Sequence, residues 1–175
     1  MWLFLKNLLF TVLVPGFVAG WVPLVFLRRR ADFPAALTMW HYAALPLLAI
    51  GAVVYVICVW QFATKGRGTP APIDPPKKLI VRGLYKWVRN PMYLGVLLFV
   101  LGEVAFFRET VLALYFVFLA SLFQLFVVAV EEPSLRRRFG ALYSDYCNLT
   151  NRWLPAKPKP RLETVAPFDL GKGKR

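Results

Sequence analysis

Long apolar runs dominate the chain, and short polar connections separate them. Four runs are almost free of charged residues: 8–27, 37–62, 91–107 and 110–130. A membrane-spanning helix needs about 20 consecutive apolar residues, and only the third run falls slightly short of that length. The pattern therefore predicts an all-α, polytopic membrane helix bundle of about four transmembrane helices.

The spacing of apolar positions changes after Pro133. Apolar side chains then recur every three or four residues, at Leu135, Phe139, Leu142 and Tyr146. This period marks one face of an amphipathic helix, and three consecutive arginines, 136–138, supply its polar side. We expect a C-terminal amphipathic surface helix that lies along the membrane and covers the open end of the hairpin formed by runs three and four.

Composition agrees with a membrane protein and limits its chemistry. Of the 175 residues, 58% are hydrophobic and the mean hydropathy is +0.54, whereas soluble domains are about 45–50% apolar. The net charge is +13. Because the cations flank apolar runs, anionic lipid headgroups are favoured over nucleic acid as partners. Cys58 and Cys147 lack metal-site spacing, so neither a disulfide framework nor a metal site is indicated.

The distribution of charge predicts the domains and the topology. We expect a two-helix membrane region in residues 1–62, a core in residues 63–155 and a mobile basic tail in residues 156–175. The loop before the third run and the segment after the fourth are rich in Lys and Arg, which places both in the cytoplasm. We expect a bacterial cytoplasmic membrane with the site facing the cytoplasm. Arginines 28–30 fit this topology only if the first run does not cross fully.

Two polar clusters stand at the ends of the predicted hairpin. Asn90 and Pro91 form a strong helix start, because Asn is a preferred N-cap and Pro suits the first helical position. Glu131 and Glu132 end the fourth run, so the hairpin returns them to the face that bears Arg89. An arginine at a helix N-terminus suits a carboxylate, paired carboxylates suit hydroxyl or ammonium groups, and nearby aromatic rings suit a base or a sulfonium. A zwitterionic nucleoside such as S-adenosylmethionine satisfies all of these together.

Few polar side chains lie inside the apolar runs. They include His41, Glu103, Ser121 and Gln124. A carboxylate within a membrane is a functional candidate by default. Glu103, however, lies near the far interface and near Arg108, so a structural role is favoured for it. An interfacial hydrogen-bonded role is likewise favoured for His41.

Several short motifs occur in order over residues 77–155 and carry a family resemblance. They are Gly83-Leu84-Tyr85, Arg89-Asn90-Pro91-Met92-Tyr93-Leu94-Gly95, Glu131-Glu132-Pro133-Ser134-Leu135, Phe139-Gly140, Tyr143, Tyr146 and Arg152-Trp153-Leu154-Pro155. In these motifs the chain resembles the isoprenylcysteine carboxyl methyltransferase and phospholipid methyltransferase superfamily. That family often has a histidine where this chain has Asn90. Because Asn does not titrate near neutral pH, the resemblance gives no general base at this position.

The resemblance implies an integral membrane methyltransferase that uses S-adenosylmethionine and methylates a lipophilic acceptor entering from the bilayer. The implied cofactor-binding residues are Tyr85, Arg89, Asn90, Pro91, Tyr93, Glu131, Glu132, Tyr143 and Tyr146. The implied catalytic residues are Arg89, Glu131, Glu132 and Arg152. Among the residues of both sets, Tyr143, Tyr146 and Arg152 would close over the site or contact the acceptor.

The sequence leaves several alternatives for the chemical identity of the methyl acceptor. An isoprenylcysteine-like carboxylate, or another small lipophilic molecule, needs no base. A phospholipid amine must lose a proton, for which Glu131 or Glu132 is the best candidate. A third alternative, from another class, is a non-catalytic membrane subunit.

Overall fold

The protein is described here from a computed structural model that covers residues 15–28, 37–61, 64 and 79–159. All regular secondary structure in these residues is helical. The helices are α1 (Phe17–Leu27), α2 (Met39–Gln61), α3 (Pro91–Phe107), α4 (Thr110–Phe126), α5 (Glu132–Phe139) and α6 (Ala141–Leu149). A 3₁₀ turn, Gly83–Lys86, precedes α3.

Two helical stretches are long and apolar enough to cross a membrane. They are α2 and the continuous run Thr110–Phe139, which joins α4 to α5. Two shorter helices, α1 and α3, are also apolar. Most side chains of the two long stretches face outward, and large apolar ones such as Val56, Trp60, Phe118 and Leu125 are exposed. A helix that is apolar on all faces is typical of a membrane span.

Several sequence predictions concern residues outside those described. They are the first part of the predicted first span (8–14), arginines 29 and 30, the last residue of the predicted second span (62), part of the polar loop (63 and 65–78) and most of the tail (160–175). Four crossings therefore remain a prediction, although the bounds of α3 coincide with the third apolar run.

Backbone contact between α2 and α3 forms the centre of the bundle. A Cβ atom on Gly51 would lie 2.5 Å from the backbone nitrogen of Phe99 and 2.7 Å from the carbonyl oxygen of Gly95. A Cβ on Gly95 would in turn lie 2.9 Å from the backbone nitrogen of Tyr55. Glycines at both surfaces let the two helices approach this closely, as is common between membrane helices.

A cluster of buried side chains joins this pair to α4 and α1. Tyr55, Val96, Val100 and Leu119 form its centre. The Tyr115 hydroxyl on α4 donates a hydrogen bond of 2.7 Å to the carbonyl oxygen of Val18, which ties α1 to α4. The turn between α3 and α4 is tight, because Arg108 ends α3 in the left-handed conformation with φ 55°.

Two wide helical turns each come shortly before a proline. Phe17–Trp21 and Val127–Glu131 are π-helical, and Pro23 and Pro133 follow them. A proline in a helix cannot donate to the carbonyl four residues earlier and clashes with it. A wide turn shifts the bonding pattern by one residue, so the Glu132 N–H donates to the Val127 carbonyl. The chain thus stays helical from Thr110 to Phe139.

The C-terminal region differs from the single amphipathic helix expected from the sequence. Gly140, with φ 55° and ψ −127°, separates α5 from α6. Glycine adopts such angles without the steric penalty that a Cβ imposes. The break changes the direction of the helix axis. Tyr143 and Tyr146 of α6 thereby pack in a buried cluster with Val81 and Phe139.

We expect Gly51→Ala to lower the thermal unfolding midpoint in detergent, because the new Cβ would overlap the backbone of α3. Overpacking of this kind costs about 1–3 kcal/mol of unfolding free energy. Gly20→Ala is the matched control, because none of the described residues outside its own helical turns has an atom within 4 Å of a Cβ at that position. It should leave the midpoint unchanged or raise it. Equal loss in both variants would contradict the close α2–α3 contact.

Candidate functional site

Arg89 lies between the 3₁₀ turn and α3, and its side chain reaches the residues that follow α4 at the same end of the α3–α4 hairpin. Its Nη1 atom lies 3.3 Å from Glu132 Oε1 and donates to Cys147 Sγ at 2.6 Å. The exposed fractions of the two ion-paired side chains are 11% for Arg89 and 8% for Glu132. The structure therefore brings the two predicted polar clusters into direct contact.

Glu132 also binds a second arginine. Arg152 Nε donates to Glu132 Oε1 at 2.7 Å, and Arg152 Nη2 donates to Glu132 Oε2 at 3.1 Å. This two-pronged geometry is the strongest arrangement for an arginine and a carboxylate. The hydrogen bond to Glu132 raises the pKa of Arg152, which keeps its charge. One carboxylate between two guanidinium groups leaves a local excess of positive charge, which suits an anionic ligand.

Glu131, the adjacent residue, has a different partner. The Tyr93 hydroxyl donates to Glu131 Oε2 at 2.8 Å. The Tyr93 ring packs on Phe123 with centroids 4.8 Å apart. Glu131 ends the wide turn and Glu132 begins α5. The two neighbouring carboxylates thus contact different residues near the start of α3, Tyr93 and Arg89.

The segment after α6, residues 150–156, returns across this end of the bundle, and we call it the C-terminal segment. The Arg89 N–H donates to the Asn151 carbonyl at 2.9 Å, and the Ala156 N–H donates to the Trp87 carbonyl at 2.9 Å. Asn90 Nδ2 donates to the Arg152 carbonyl at 3.2 Å. These bonds hold Arg152 over Glu132. Asn90 is thus at the N-cap position of α3, as predicted, but its side chain makes no capping bond.

The predicted tyrosines of α6 and of the 3₁₀ turn pack beside the arginine pair. The Tyr146 hydroxyl donates to the Tyr85 carbonyl at 2.7 Å, and burial raises the pKa of Tyr146, so the phenol stays a neutral donor. Tyr143 lies 6.2 Å from Tyr146 between ring centroids. The Tyr85 ring is buried in a cluster with Cys58 and Ile80, a position that supports packing more than ligand contact. Pro91 is fully buried at the start of α3.

Two buried polar atoms in this site have no partner among the described residues: Arg89 Nε and Thr150 Oγ1. Arg89 Nε is the charged donor, and Nη1 of the same side chain contacts Glu132 and Cys147. An unpaired buried N–H costs about 1–3 kcal/mol, which an incoming acceptor would recover. The carboxylate of a zwitterionic ligand is an acceptor of the right charge for this position.

A family model described as phospholipid methyltransferase matches residues 39–142, which is more than half of the chain. The chain belongs to the phospholipid methyltransferase family. This confirms the superfamily predicted from the sequence. The matched region contains both polar clusters, while Tyr143, Tyr146 and Arg152 lie beyond it.

Two curated relatives of this family member come from Oryza sativa, subspecies indica and japonica. Each is named probable protein-S-isoprenylcysteine O-methyltransferase, and each is 28% identical to this chain over 129 residues. The aligned region covers 70% of this chain and 66% of each relative, slightly less than two thirds of their length. No solved structure matches the chain.

Sequence reasoning missed two contacts in this family member. Cys147 contacts Arg89, but a lone cysteine gave no signal for this. Gln124 accepts a hydrogen bond of 2.6 Å from Trp153 Nε1. The available signal was its position as a polar residue within an apolar run.

Two polar residues of the apolar runs lie outside the site. His41 Nδ1 bonds Thr38, and the His41 ring packs on Phe106. Glu103 Oε2 has no partner among the described residues.

We expect Glu132→Gln to release the C-terminal segment, because both arginines would lose their anionic partner. Amide hydrogen exchange of Arg89 and Ala156, whose N–H groups bond across this segment, should become at least about tenfold faster, a factor that corresponds to about 1.4 kcal/mol. Arg137→Ala is the control, since Arg137 is exposed on α5. Unchanged exchange in Glu132→Gln would contradict this role of the carboxylate.

Proposed function

We propose that this chain is an integral membrane methyltransferase that uses S-adenosylmethionine and methylates a lipophilic carboxylate acceptor. One observation carries the proposal: Arg89 meets Glu132, and Tyr93 meets Glu131, at the same end of the α3–α4 hairpin. Membership of the phospholipid methyltransferase family supports methyl transfer as the reaction class.

In this proposal the two sides of the α3 N-terminus bind opposite ends of the methyl donor. Arg89, with its unpaired Nε, would hold the carboxylate of the donor, and Asn90 and Pro91 would place the first turn of α3 beside it. Glu131, with Tyr93, would face ammonium or ribose hydroxyl groups. When bound, S-adenosylmethionine supplies an electrophilic methyl group on a sulfonium centre, and S-adenosylhomocysteine is the product.

The partners of the two glutamates favour an acceptor that needs no deprotonation. Glu132 is held by Arg89 and Arg152, and Glu131 accepts a hydrogen bond from Tyr93. A carboxylate oxygen is already nucleophilic, whereas an ammonium headgroup must first lose a proton to a base. Arg152 would contact an acceptor carboxylate. The proposed reaction is a direct in-line displacement, in which these residues contribute alignment and exclusion of water.

An apolar groove offers a place for the hydrocarbon part of the acceptor. The groove has a volume of about 320 Å³ and lies between α1, α2 and α3. Among the residues that line it, Gly20 is on α1, Tyr55 on α2 and Val96 on α3. Tyr55 and Val96 pack in one cluster with Met92, the residue before Tyr93, so the groove lies about one helical turn from the proposed donor site.

The proposed protein has four membrane crossings, with α1 and α3 as the shorter pair, and its site faces the cytoplasm. Support comes from the apolar character of all four helices and from the exposed arginines of α5. The proposed core extends from residue 63 to residue 155, which includes the C-terminal segment as far as Pro155.

We expect Arg89→Ala and Glu131→Gln each to weaken binding of S-adenosylhomocysteine by about tenfold to a hundredfold, as measured by calorimetry on the protein in detergent. The reason is that each change removes a charge-assisted hydrogen bond, worth about 1.5–3 kcal/mol. Arg138→Ala, on the exposed side of α5, is the charge-matched control for Arg89→Ala.

Two outcomes would overturn the proposed site. Variants that bind the ligand like the parent would remove Arg89 and Glu131 from it. No binding by the parent at millimolar ligand would favour a non-catalytic membrane subunit instead.

The acceptor is tested by supplying the purified protein with labelled S-adenosylmethionine and one acceptor at a time. We expect label in an S-prenylated cysteine with a free carboxylate and none in the same compound blocked as an ester. Phosphatidylethanolamine in vesicles is the competing acceptor, because the name of the matching family favours it. Labelled methylated phosphatidylethanolamine would replace the carboxylate proposal with N-methylation.

A further inference from the structure

A polar contact lies near the end of α4, where most of the neighbouring exposed side chains are apolar. Gln124 is exposed on α4, and its neighbours Leu122 and Leu125 are exposed apolar residues. Gln124 Oε1 accepts a hydrogen bond of 2.6 Å from the indole N–H of Trp153. An amide among apolar residues at membrane depth is costly and is retained where it has a partner or a function.

Trp153 connects this contact to both glutamates. It follows Arg152 directly, and Arg152 bonds Glu132 through two atoms. The Trp153 ring meets the Tyr93 ring edge to face, with centroids 6.4 Å apart. Tyr93 in turn donates to Glu131. Consecutive residues of the C-terminal segment therefore attach to two places on the run Thr110–Phe139.

The two attachment points are well separated along this run. Gln124 lies near the end of α4, one turn before the wide turn, and Glu132 lies just after it. At about 1.5 Å of rise per residue, the points are about 12 Å apart. The backbone bonds of Arg89 and Ala156 hold this segment beside the start of α3. The Gln124–Trp153 bond adds a point of attachment on α4, which restricts rotation of the segment about those bonds. The indole ring also contacts the Tyr93 ring, whose hydroxyl bonds Glu131.

We infer that Gln124 is a positioning residue that acts through Trp153 to hold Arg152 on Glu132 and Tyr93 against Glu131. Gln124 itself touches neither the donor nor the acceptor. The inference rests on the proposed function for its effect on donor binding, while the effect on the C-terminal segment stands without it.

Three variants separate the hydrogen bond from the packing around it. Gln124→Leu removes the acceptor atom and keeps the side chain apolar. Gln124→Glu keeps an acceptor oxygen whether or not the carboxyl is protonated. Trp153→Phe keeps a ring against Tyr93 and removes the indole N–H. Ser121→Ala is the matched control, because Ser121 is also exposed on α4. Within the described part of the chain its hydroxyl bonds the Val117 carbonyl of its own helix.

We expect Gln124→Leu and Trp153→Phe each to weaken S-adenosylhomocysteine binding roughly threefold to tenfold, as measured by calorimetry, a range set by typical hydrogen bonds between membrane helices. Gln124→Glu should restore at least most of the affinity, and Ser121→Ala should leave it unchanged. The double variant Gln124→Leu with Trp153→Phe should be no weaker than either single variant, because both remove the same bond.

Parent-like binding by Gln124→Leu would overturn the inference, and so would fully additive losses in the double variant or failure of Gln124→Glu to restore binding. If the parent binds no S-adenosylhomocysteine, the proposed function fails separately and hydrogen exchange decides the inference. The Arg89 and Ala156 amides should then exchange faster in Gln124→Leu than in Gln124→Glu. Equal exchange in these two variants would overturn it.

Discussion

The site depends on the carboxylate of Glu132, which joins three separate parts of the chain. Arg89 precedes α3, Glu132 begins α5, and Arg152 follows α6. Charges removed from water are tolerated when they are paired and hydrogen-bonded. Loss of one partner leaves the remaining charges buried and uncompensated, which destabilises the folded protein. One ionised side chain therefore joins the hairpin to the C-terminal segment, and the backbone bonds of Arg89 and Ala156 act beside it. The same arrangement leaves net positive charge at the end of the bundle, where an anionic ligand group is proposed to bind.

The position of Glu132 depends on Pro133, the next residue in the chain. Pro133 cannot donate to the carbonyl four residues earlier, and the wide turn Val127–Glu131 accommodates this loss without ending the helix. Glu131 is the last residue of that turn and accepts a hydrogen bond from Tyr93, while Glu132, the next residue, bonds the arginines. Pro23 on α1 follows an equivalent wide turn. The residues next to it in α1 are apolar, so this wide turn keeps the helix continuous for packing and positions no polar group.

Close packing of α2 on α3 provides the rigid base for the site. Gly51 and Gly95 leave no space for a side chain between the helices, which fixes the position of the α3 N-terminus relative to α2. The Tyr85 ring then packs on Cys58 of α2, and Tyr146 bonds the Tyr85 carbonyl from α6. Contact through backbone and buried rings is stiff, because interiors packed at this density relax little. The α3 N-terminus and its polar groups are thereby held on a rigid base.

The sequence by itself determined the helical class, the family and the positions of the hairpin and of the two polar clusters. These follow from local properties: the length of apolar runs, the Asn90-Pro91 helix start, and short motifs whose order along the chain is fixed. Only the tertiary structure decided the partners of each side chain. Asn90 is at an N-cap position, yet its amide bonds the Arg152 carbonyl, which lies 62 residues away in the chain. The expected single amphipathic helix is divided at Gly140, and Gln124 has a partner that its place in an apolar run did not reveal. The physical reason is that a local pattern fixes backbone conformation and the buried face. The choice among possible hydrogen-bond partners depends instead on which distant groups arrive within 3 Å.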